Sequence, residues 1–314
     1  MLPNLFVPGA GKSATSSLHE LLNQHPHIYM SVKKEPHFFD NADNFQADDT
    51  AKIPQFESFA QLFSDGKEYP FRGESSTGYM VFPHVVERIH KNIPNPRFIF
   101  VLRNPIDRAY SHYWWLRGLG GESRKFRDAL EADQHEIPNF KNPIKKTGNF
   151  RYYFAFGQYA TYLRPFIIYF GRENIFVITT ESLKSDSKKI MNHCYEFLGV
   201  KPLEKIAAIQ TNKTITYKKA DLYWQVRSKV STIDSGSLLF KFLKERLSEK
   251  QYMQMHRARK SVLNFISHIW SKQDEYPKLS ADERQWLCSL YKNEVRELRA
   301  LTGMFFSEWS KDFP

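Results

Sequence analysis

Leu5-Phe6-Val7-Pro8-Gly9-Ala10-Gly11-Lys12-Ser13-Ala14-Thr15-Ser16-Ser17-Leu18-His19-Glu20-Leu21-Leu22 is the stretch on which the fold turns. A short apolar run ends in a Pro/Gly-rich turn. A helical pattern follows, with Leu18, Leu21 and Leu22 on one face. It stops near His25-Pro26, because proline disfavours helix in the residue before it. The stretch therefore reads as strand, Gly-rich turn, helix. Such a turn leaves backbone N–H groups free to bind an anion, and the helix dipole favours negative charge there. Lys12 adds a mobile cation, and the hydroxyls of Ser13, Thr15, Ser16 and Ser17 add donors. Two readings stay open: a phosphate or sulfate cradle over Gly9 to Ser17, or an ordinary strand-to-helix connection with a serine as N-cap. A Walker A loop would need glycine at position 6, where the chain has Phe6, and no clear acidic strand end offers itself to magnesium. That weighs against a nucleotide triphosphatase.

Working outward, Arg97-Phe98-Ile99-Phe100-Val101-Leu102 reads as a strand covered on both faces, as in parallel sheets. It ends at Arg103-Asn104-Pro105, and a helix carrying Arg108, Ser111 and Tyr113 is expected to follow. A third strand, Ile175-Phe176-Val177-Ile178, comes after an amphipathic stretch over 159–170. Strands alternating with helices predict an α/β fold with right-handed βαβ units and a central parallel sheet flanked by helices. Ligands of such sheets bind beyond the carboxyl ends of the strands. The Gly-rich turn and Arg103 both lie there. Residues 40–71 read as a polar, irregular excursion, 118–149 as an insertion, 213–262 as basic and helical, and 279–301 as a helix. No secure boundary divides the chain, so one domain over 1–314 is expected.

The composition agrees with a packed domain. Of 314 residues, 41% are hydrophobic and 15% aromatic, which excludes the low-hydrophobicity signature of disorder. The net charge of +11 favours anionic partners but does not choose among nucleic acid, glycan, membrane and a phosphate-rich cofactor. Solvated lysines on helix faces produce the same surplus. Cys194 and Cys288 belong to no CxxC or Cys/His cluster, so no metal site is expected. The start of the sequence lacks the features of a signal peptide, and no stretch approaches the roughly 18 apolar residues of a membrane span, so a cytoplasmic location without a transmembrane segment is expected.

Two further segments carry candidate chemistry. In Arg103-Asn104-Pro105-Ile106-Asp107-Arg108-Ala109-Tyr110-Ser111, Arg103 suits bidentate phosphate binding, and Ser111 lies about two turns into the helix. The alternative is a salt-bridged helix start, with Arg103 or Arg108 paired to Asp107. In Lys33-Lys34-Glu35-Pro36-His37-Phe38-Phe39-Asp40, a carboxylate beside a histidine suits a general base near a cationic site. The alternative is a surface loop with an ordinary ion pair.

Taken together, the segments resemble one family. GAGKSATSSLHELLNQHP resembles the 5′-phosphosulfate loop of sulfotransferases that use 3′-phosphoadenosine 5′-phosphosulfate (PAPS), usually GxxKxGTTSLxxxLxxHP. FIFVLRNPIDRAYSHYWW resembles their 3′-phosphate motif, with Arg and Ser eight residues apart, and KKEPHFFD resembles the segment bearing the catalytic Glu in the heparan-sulfate-type branch. Gly73-Glu74-Ser75-Ser76-Thr77-Gly78-Tyr79, the 173–183 region and the 301–309 region are further echoes, so the likeness spans nearly the whole chain in family order.

The resemblance implies a P-loop-like fold and metal-free, in-line transfer of a sulfuryl group from PAPS to a hydroxyl or amine of an acceptor, a glycan among the options, with no nucleic-acid partner. It assigns Lys12 and Glu35 to catalysis, with His37 as the alternative base. Gly11, Lys12, Ser13, Ala14, Thr15, Ser16 and Ser17 would hold the phosphosulfate, and Arg103 and Ser111 the 3′-phosphate. Asn212-Lys213 and Tyr217, Lys218 and Lys219 are the candidates for the cofactor lid. The chain departs from the pattern at Ala14 and Ser16, which stand for the usual Gly and Thr, and at Ser75, where relatives often have Lys. Two rival classes are a P-loop nucleotide kinase and a non-enzymatic polyanion-binding protein.

Overall fold

Arg97–Leu102 forms strand β4 of a parallel sheet, and Phe98 to Leu102 are all fully buried, as expected of a strand covered on both faces. The other strands of the sheet are β1 (Leu5–Phe6), β2 (Ile28–Met30), β3 (Phe71–Glu74) and β5 (Ile175–Thr179), in the spatial order β2-β3-β1-β4-β5. All four pairings are parallel; Leu5 lies opposite Gly73 on one side and Arg97 on the other. The computed structural model describes residues 1–41, 44, 55–118, 121–134, 151–209, 216–217, 261, 271–272 and 276–314. The described helices are α1 (Thr15–Leu22), α2 (Gln55–Gln61), α3 (Pro83–Asn92), α4 (Pro105–Gly118), α5 (Phe126–Gln134), α6 (Tyr159–Phe170), α7 (Thr180–Ser185), α8 (Ser187–Phe197) and α9 (Ala281–Thr302). None of them is long and apolar enough to cross a membrane.

The chain separates into two compact units. One holds Met1–His112, Phe126–Thr211 and Leu279–Pro314; the other holds Tyr113–Lys125 and Asn212–Lys278. In the larger unit, alternation along β4 sends side chains into two cores. Ile99 and Val101 join Leu5 and Val7, the Leu18-Leu21-Leu22 face of α1, and Met191 and Cys194 of α8. Phe98 and Phe100 enter an aromatic layer instead: Phe98 stacks on Phe6 at 5.5 Å and meets Phe166 and Phe170 of α6 at 5.2 and 4.6 Å. Helices α3 and α9 pack on α6 on that side. In the smaller unit, Thr216–Tyr217 (β6) and Ser271–Lys272 (β7) form an antiparallel pair, and Trp114 stacks on Tyr276 at 6.0 Å.

Two expectations change, and a third lies outside the described residues. The excursion over 40–71 contains α2, whose Phe59 stacks on Phe38 at 4.2 Å while Phe59 and Phe63 are buried. Its phenylalanines, three and four residues apart, supply a helical apolar face that the surrounding polar composition conceals. The insertion over 118–149 contains α5, and the basic stretch over 213–262 falls almost wholly outside the described residues.

Helix termination follows local chemistry. Thr179, Asp186 and Ser280 cap α7, α8 and α9 with their side chains, whereas α1 begins at Ala14, which offers no side-chain acceptor and sits at φ 65°, ψ 27°. A Cβ in this left-handed region costs about 1–2 kcal/mol, against about 0.5–1 kcal/mol for the added freedom of an unfolded glycine. Ala14→Gly should therefore stabilise the protein by up to about 1.5 kcal/mol, read as a higher urea midpoint at unchanged slope. A lowered midpoint would show that the methyl group contributes packing that outweighs its strain.

Candidate active site

The turn between β1 and α1 is tied down on both sides. Ala10 N–H donates to Val101 O at 2.8 Å, Val101 N–H to Gly9 O at 3.0 Å, and Met80 N–H to Pro8 O at 2.9 Å. The Thr180 hydroxyl lies within hydrogen-bonding distance of Ser13 O (2.9 Å) and Leu102 O (3.0 Å), joining the turn to the end of β4. Beyond the turn, the N–H groups of Thr15, Ser16 and Ser17 begin α1 and have no acceptor within the helix. The reading with a serine N-cap is thus corrected: the cap is Ala14, and these donors are left for an anion. Ser13 and Thr15 are buried, and Gly11, Lys12, Ser16 and Ser17 are partly exposed.

Three cations gather here. Arg103 follows β4, and its Nη1 donates to Lys12 O at 3.4 Å, while its own carbonyl accepts from the Tyr159 hydroxyl at 2.9 Å. Burial first, then the charges of Arg103 and Arg108, draw the Lys12 ammonium down to about 8, against a raising influence of Glu35. Arg108 is 1% exposed, lies one helical turn after Asn104, and places Nη1 3.4 Å from His112 Nδ1 while donating from Nη2 to Tyr153 O. Its Nε has no hydrogen-bond partner. The salt-bridged alternative also fails: Asp107 pairs with Arg284 at 2.9 Å, not with Arg103 or Arg108. Ser111 is buried on α4, one turn beyond Arg108. A crowded set of cations beside an uncapped helix start suits an anionic, phosphate-bearing group.

Glu35 and His37 flank Pro36, both in the left-handed region at φ 53° and 52°. Glu35 accepts from Lys34 Nζ at 2.9 Å and from the Thr77 hydroxyl at 3.3 Å, and its other oxygen lies 3.6 Å from His37 Nε2. Burial works against its charge, yet the His37 bond and the Lys34 ammonium hold its pKa down at about 2. Burial likewise opposes a charged His37, but hydrogen bonds to Asp40 (2.7 Å from Nδ1) and Glu35 raise it to about 10. Below this pair, His37 N–H donates to Ser76 Oγ at 3.0 Å, and Ser76 Oγ donates to Glu74 Oε2 at 2.8 Å. Glu74 is fully buried, which pushes its carboxyl up to about 8. The reading of 33–40 as a plain surface loop is therefore corrected to a polar network anchored in the sheet.

Lys12, Arg103, Glu35 and His37 thus lie near one another. Ser75, standing where relatives often have Lys, is buried and bonded to His19 Nδ1 at 2.8 Å. Of the lid candidates, the backbone of Tyr217 lies in β6, while Asn212, Lys213, Lys218 and Lys219 lie outside the described residues. Sequence reasoning gave no role to Asp40 or Glu74, and to Arg108 only that of a salt-bridge partner for Asp107. Asp40 carried a signal, lying three residues after His37; the other two stand out through their burial, which the sequence does not show.

Comparison with known proteins agrees with this geometry. Residues 2–268 match the sulfotransferase domain family. The chain is 27% identical over 208 residues to the bifunctional heparan sulfate N-deacetylase/N-sulfotransferase 4 of Mus musculus, covering 64% of this chain and 23% of that protein. It is 27% identical over 202 residues to heparan sulfate glucosamine 3-O-sulfotransferase 5 of Mus musculus, covering 64% of this chain and 54% of that one. The chain therefore spans about a quarter to a half of the length of these curated relatives. A solved sulfotransferase from Alicyclobacillus acidocaldarius superposes with a TM-score of 0.64 at 25% identity, over 99% of both chains. With that match across most of its length, a parallel sheet of the expected kind and the cationic turn at its carboxyl edge, the chain belongs to the sulfotransferase family.

Proposed function

We propose that the α1 start, Lys12 and the hydroxyls of Thr15, Ser16 and Ser17 hold the phosphosulfate of PAPS, that Arg103 and Ser111 hold its 3′-phosphate, and that Glu35 takes the acceptor's proton. The observation that carries this reading is the gathering of Lys12, Arg103 and Arg108 beside an uncapped helix start, with Glu35 acting on Lys12. PAPS supplies the activated sulfuryl group, which passes to an acceptor oxygen or nitrogen as that atom loses its proton. Lys12, titrating near 8, remains mostly protonated at neutral pH and holds a cation at the cradle.

The choice of Glu35 over His37 rests on protonation. An imidazole titrating near 10 is charged at pH 7, so both ring nitrogens are donors and neither takes a proton. The ionised Glu35 keeps lone pairs free. His37 then orients the base, and Asp40, with its side chain 1% exposed, fixes the imidazolium from the other side.

In this reading 1–314 works as one sulfotransferase domain, and the acceptor class we favour is an anionic glycan. The heparan sulfate enzymes among its relatives and the net charge of +11 support that choice. Both cysteines are free thiols, which suits a cytoplasmic, reducing compartment.

Three outcomes follow from these assignments. Glu35→Gln should leave PAPS affinity within about twofold and lower transfer of labelled sulfate by about 10²–10⁴-fold; unchanged turnover would remove Glu35 as the base. Arg103→Ala should weaken binding of 3′-phosphoadenosine 5′-phosphate (PAP) far more than that of 5′-AMP, and equal losses in calorimetry would count against a 3′-phosphate site. His37 should also leave a mark on stability. Its folded pKa of about 10 stands above its ordinary 6.5, so its ion pairs stabilise fully below 6.5 and are lost as pH rises toward 10. The stability difference between wild type and His37→Gln should narrow over that range in urea titrations; a flat difference would mean that the folded imidazole is neutral.

A further inference from the structure

Asn104 separates Arg103 from the first turn of α4, and all its polar groups are engaged. Its carbonyl accepts from Arg108 N–H at 2.9 Å and its Oδ1 from Ile106 N–H at 3.0 Å, the usual work of a helix cap. Its two donors go elsewhere. The backbone N–H donates to Glu181 Oε1 at 3.0 Å, and Nδ2 donates to Asp312 Oδ2 at 2.7 Å. Neither acceptor is local, and Asp312 is 208 residues away.

Asp312 is itself held from several sides. Arg284 donates to it from Nε at 2.8 Å and from Nη2 at 2.6 Å, and reaches from Nη1 to Asp107 Oδ1 at 2.9 Å. One guanidinium thus spans Asp312 and the first turn of α4. The segment bearing Asp312 is anchored by Trp309, which is fully buried, stacks on Phe306 at 4.5 Å and donates from Nε1 to Glu181 Oε2 at 3.2 Å. Glu181 therefore bridges Trp309 and Asn104, and Asp312 makes the second bridge.

We propose that Asp312, acting through Asn104, is a positioning residue for the 3′-phosphate of the donor: it fixes the backbone from which Arg103 projects. This rests on the assignment of Arg103 made above. The guanidinium of Arg103 has a long 3.4 Å bond to Lys12 O and no carboxylate partner among the described residues, so its aim depends on its backbone. That backbone is clamped on both sides, at the Arg103 carbonyl by Tyr159 and at Asn104 by Glu181 and Asp312. Losing Asp312 frees a buried amide and one half of the clamp, while the turn that holds the phosphosulfate keeps its own bonds to β4.

The test is a ratio. In calorimetry, Asp312→Asn should weaken binding of PAP by about tenfold, the size expected for a lost hydrogen bond to a charged group, and leave 5′-AMP within about twofold. A purely structural role would lower stability or reduce both affinities together, and an unchanged PAP-to-AMP ratio would overturn the proposal. If that variant folds poorly, Asn104→Ser keeps a side-chain oxygen for the Ile106 N–H, leaves the Asp312–Arg284 pair in place and removes the Nδ2 donor. It should lower the PAP-to-AMP affinity ratio in the same way; an unchanged ratio in the folded variant counts against the clamp. Arg103→Ala in the same assay separates the two levels. If it collapses the ratio while Asp312→Asn does not, only the clamp is wrong; if it leaves the ratio intact, the 3′-phosphate assignment fails and the clamp with it.

Discussion

Like charges held together are the constraint around which this molecule is arranged. Lys12 and Arg103 meet where two parallel strands end, with Arg108 buried behind them, and the Lys12 pKa is lowered first by burial and then by these neighbouring charges. Coulomb repulsion between cations shielded from water exceeds that at an open surface, so the backbone beneath must resist spreading. It does so because β4 is buried on both faces and because the turn is bonded to β4 through Ala10 and Thr180. The same rigidity makes the site useful: cations already in place need not reorganise when negative charge arrives.

Much of the architecture could be read from the chain because its central elements are locally consistent. The β4 run is apolar from Phe98 to Leu102 and bounded by Arg97 and Arg103, so both ends matched the structure. Helices α1, α6 and α9 likewise followed from apolar spacing. Strands β2 and β3 were not legible. They contribute three and four residues, and β3 contains Arg72 and Gly73, which interrupt any apolar pattern. They are strands because of where they lie: Gly73 sits between Leu5 and Met30, where a Cβ would fall 2.3 Å from Met30 Sδ.

The site was legible as motifs and not as a network. Gly-rich turn, lysine, arginine and acidic-histidine segment could each be named in order, since each is a short stretch with its own chemistry. What decides their roles is burial, which the motifs do not show. His37 is charged because Asp40 is buried against it, and Ser76, from the segment after β3, supports its backbone. Glu74 looks like any glutamate at a strand end until full burial is seen to keep its carboxyl largely neutral. Arg108 offers itself in the sequence as an ion-pair partner for Asp107, though it is enclosed by Tyr153 and His112.

The bond between Asn104 and Asp312 also has a consequence in time. Ribosomes add about 5–20 residues per second, so the 208 residues between these partners correspond to about 10–40 s of synthesis. Through that interval β1, β3 and β4 are already available to assemble, and Lys12 and Arg103 already repel. The nascent chain therefore carries its sheet edge in an unfinished state until residues 307–312 emerge.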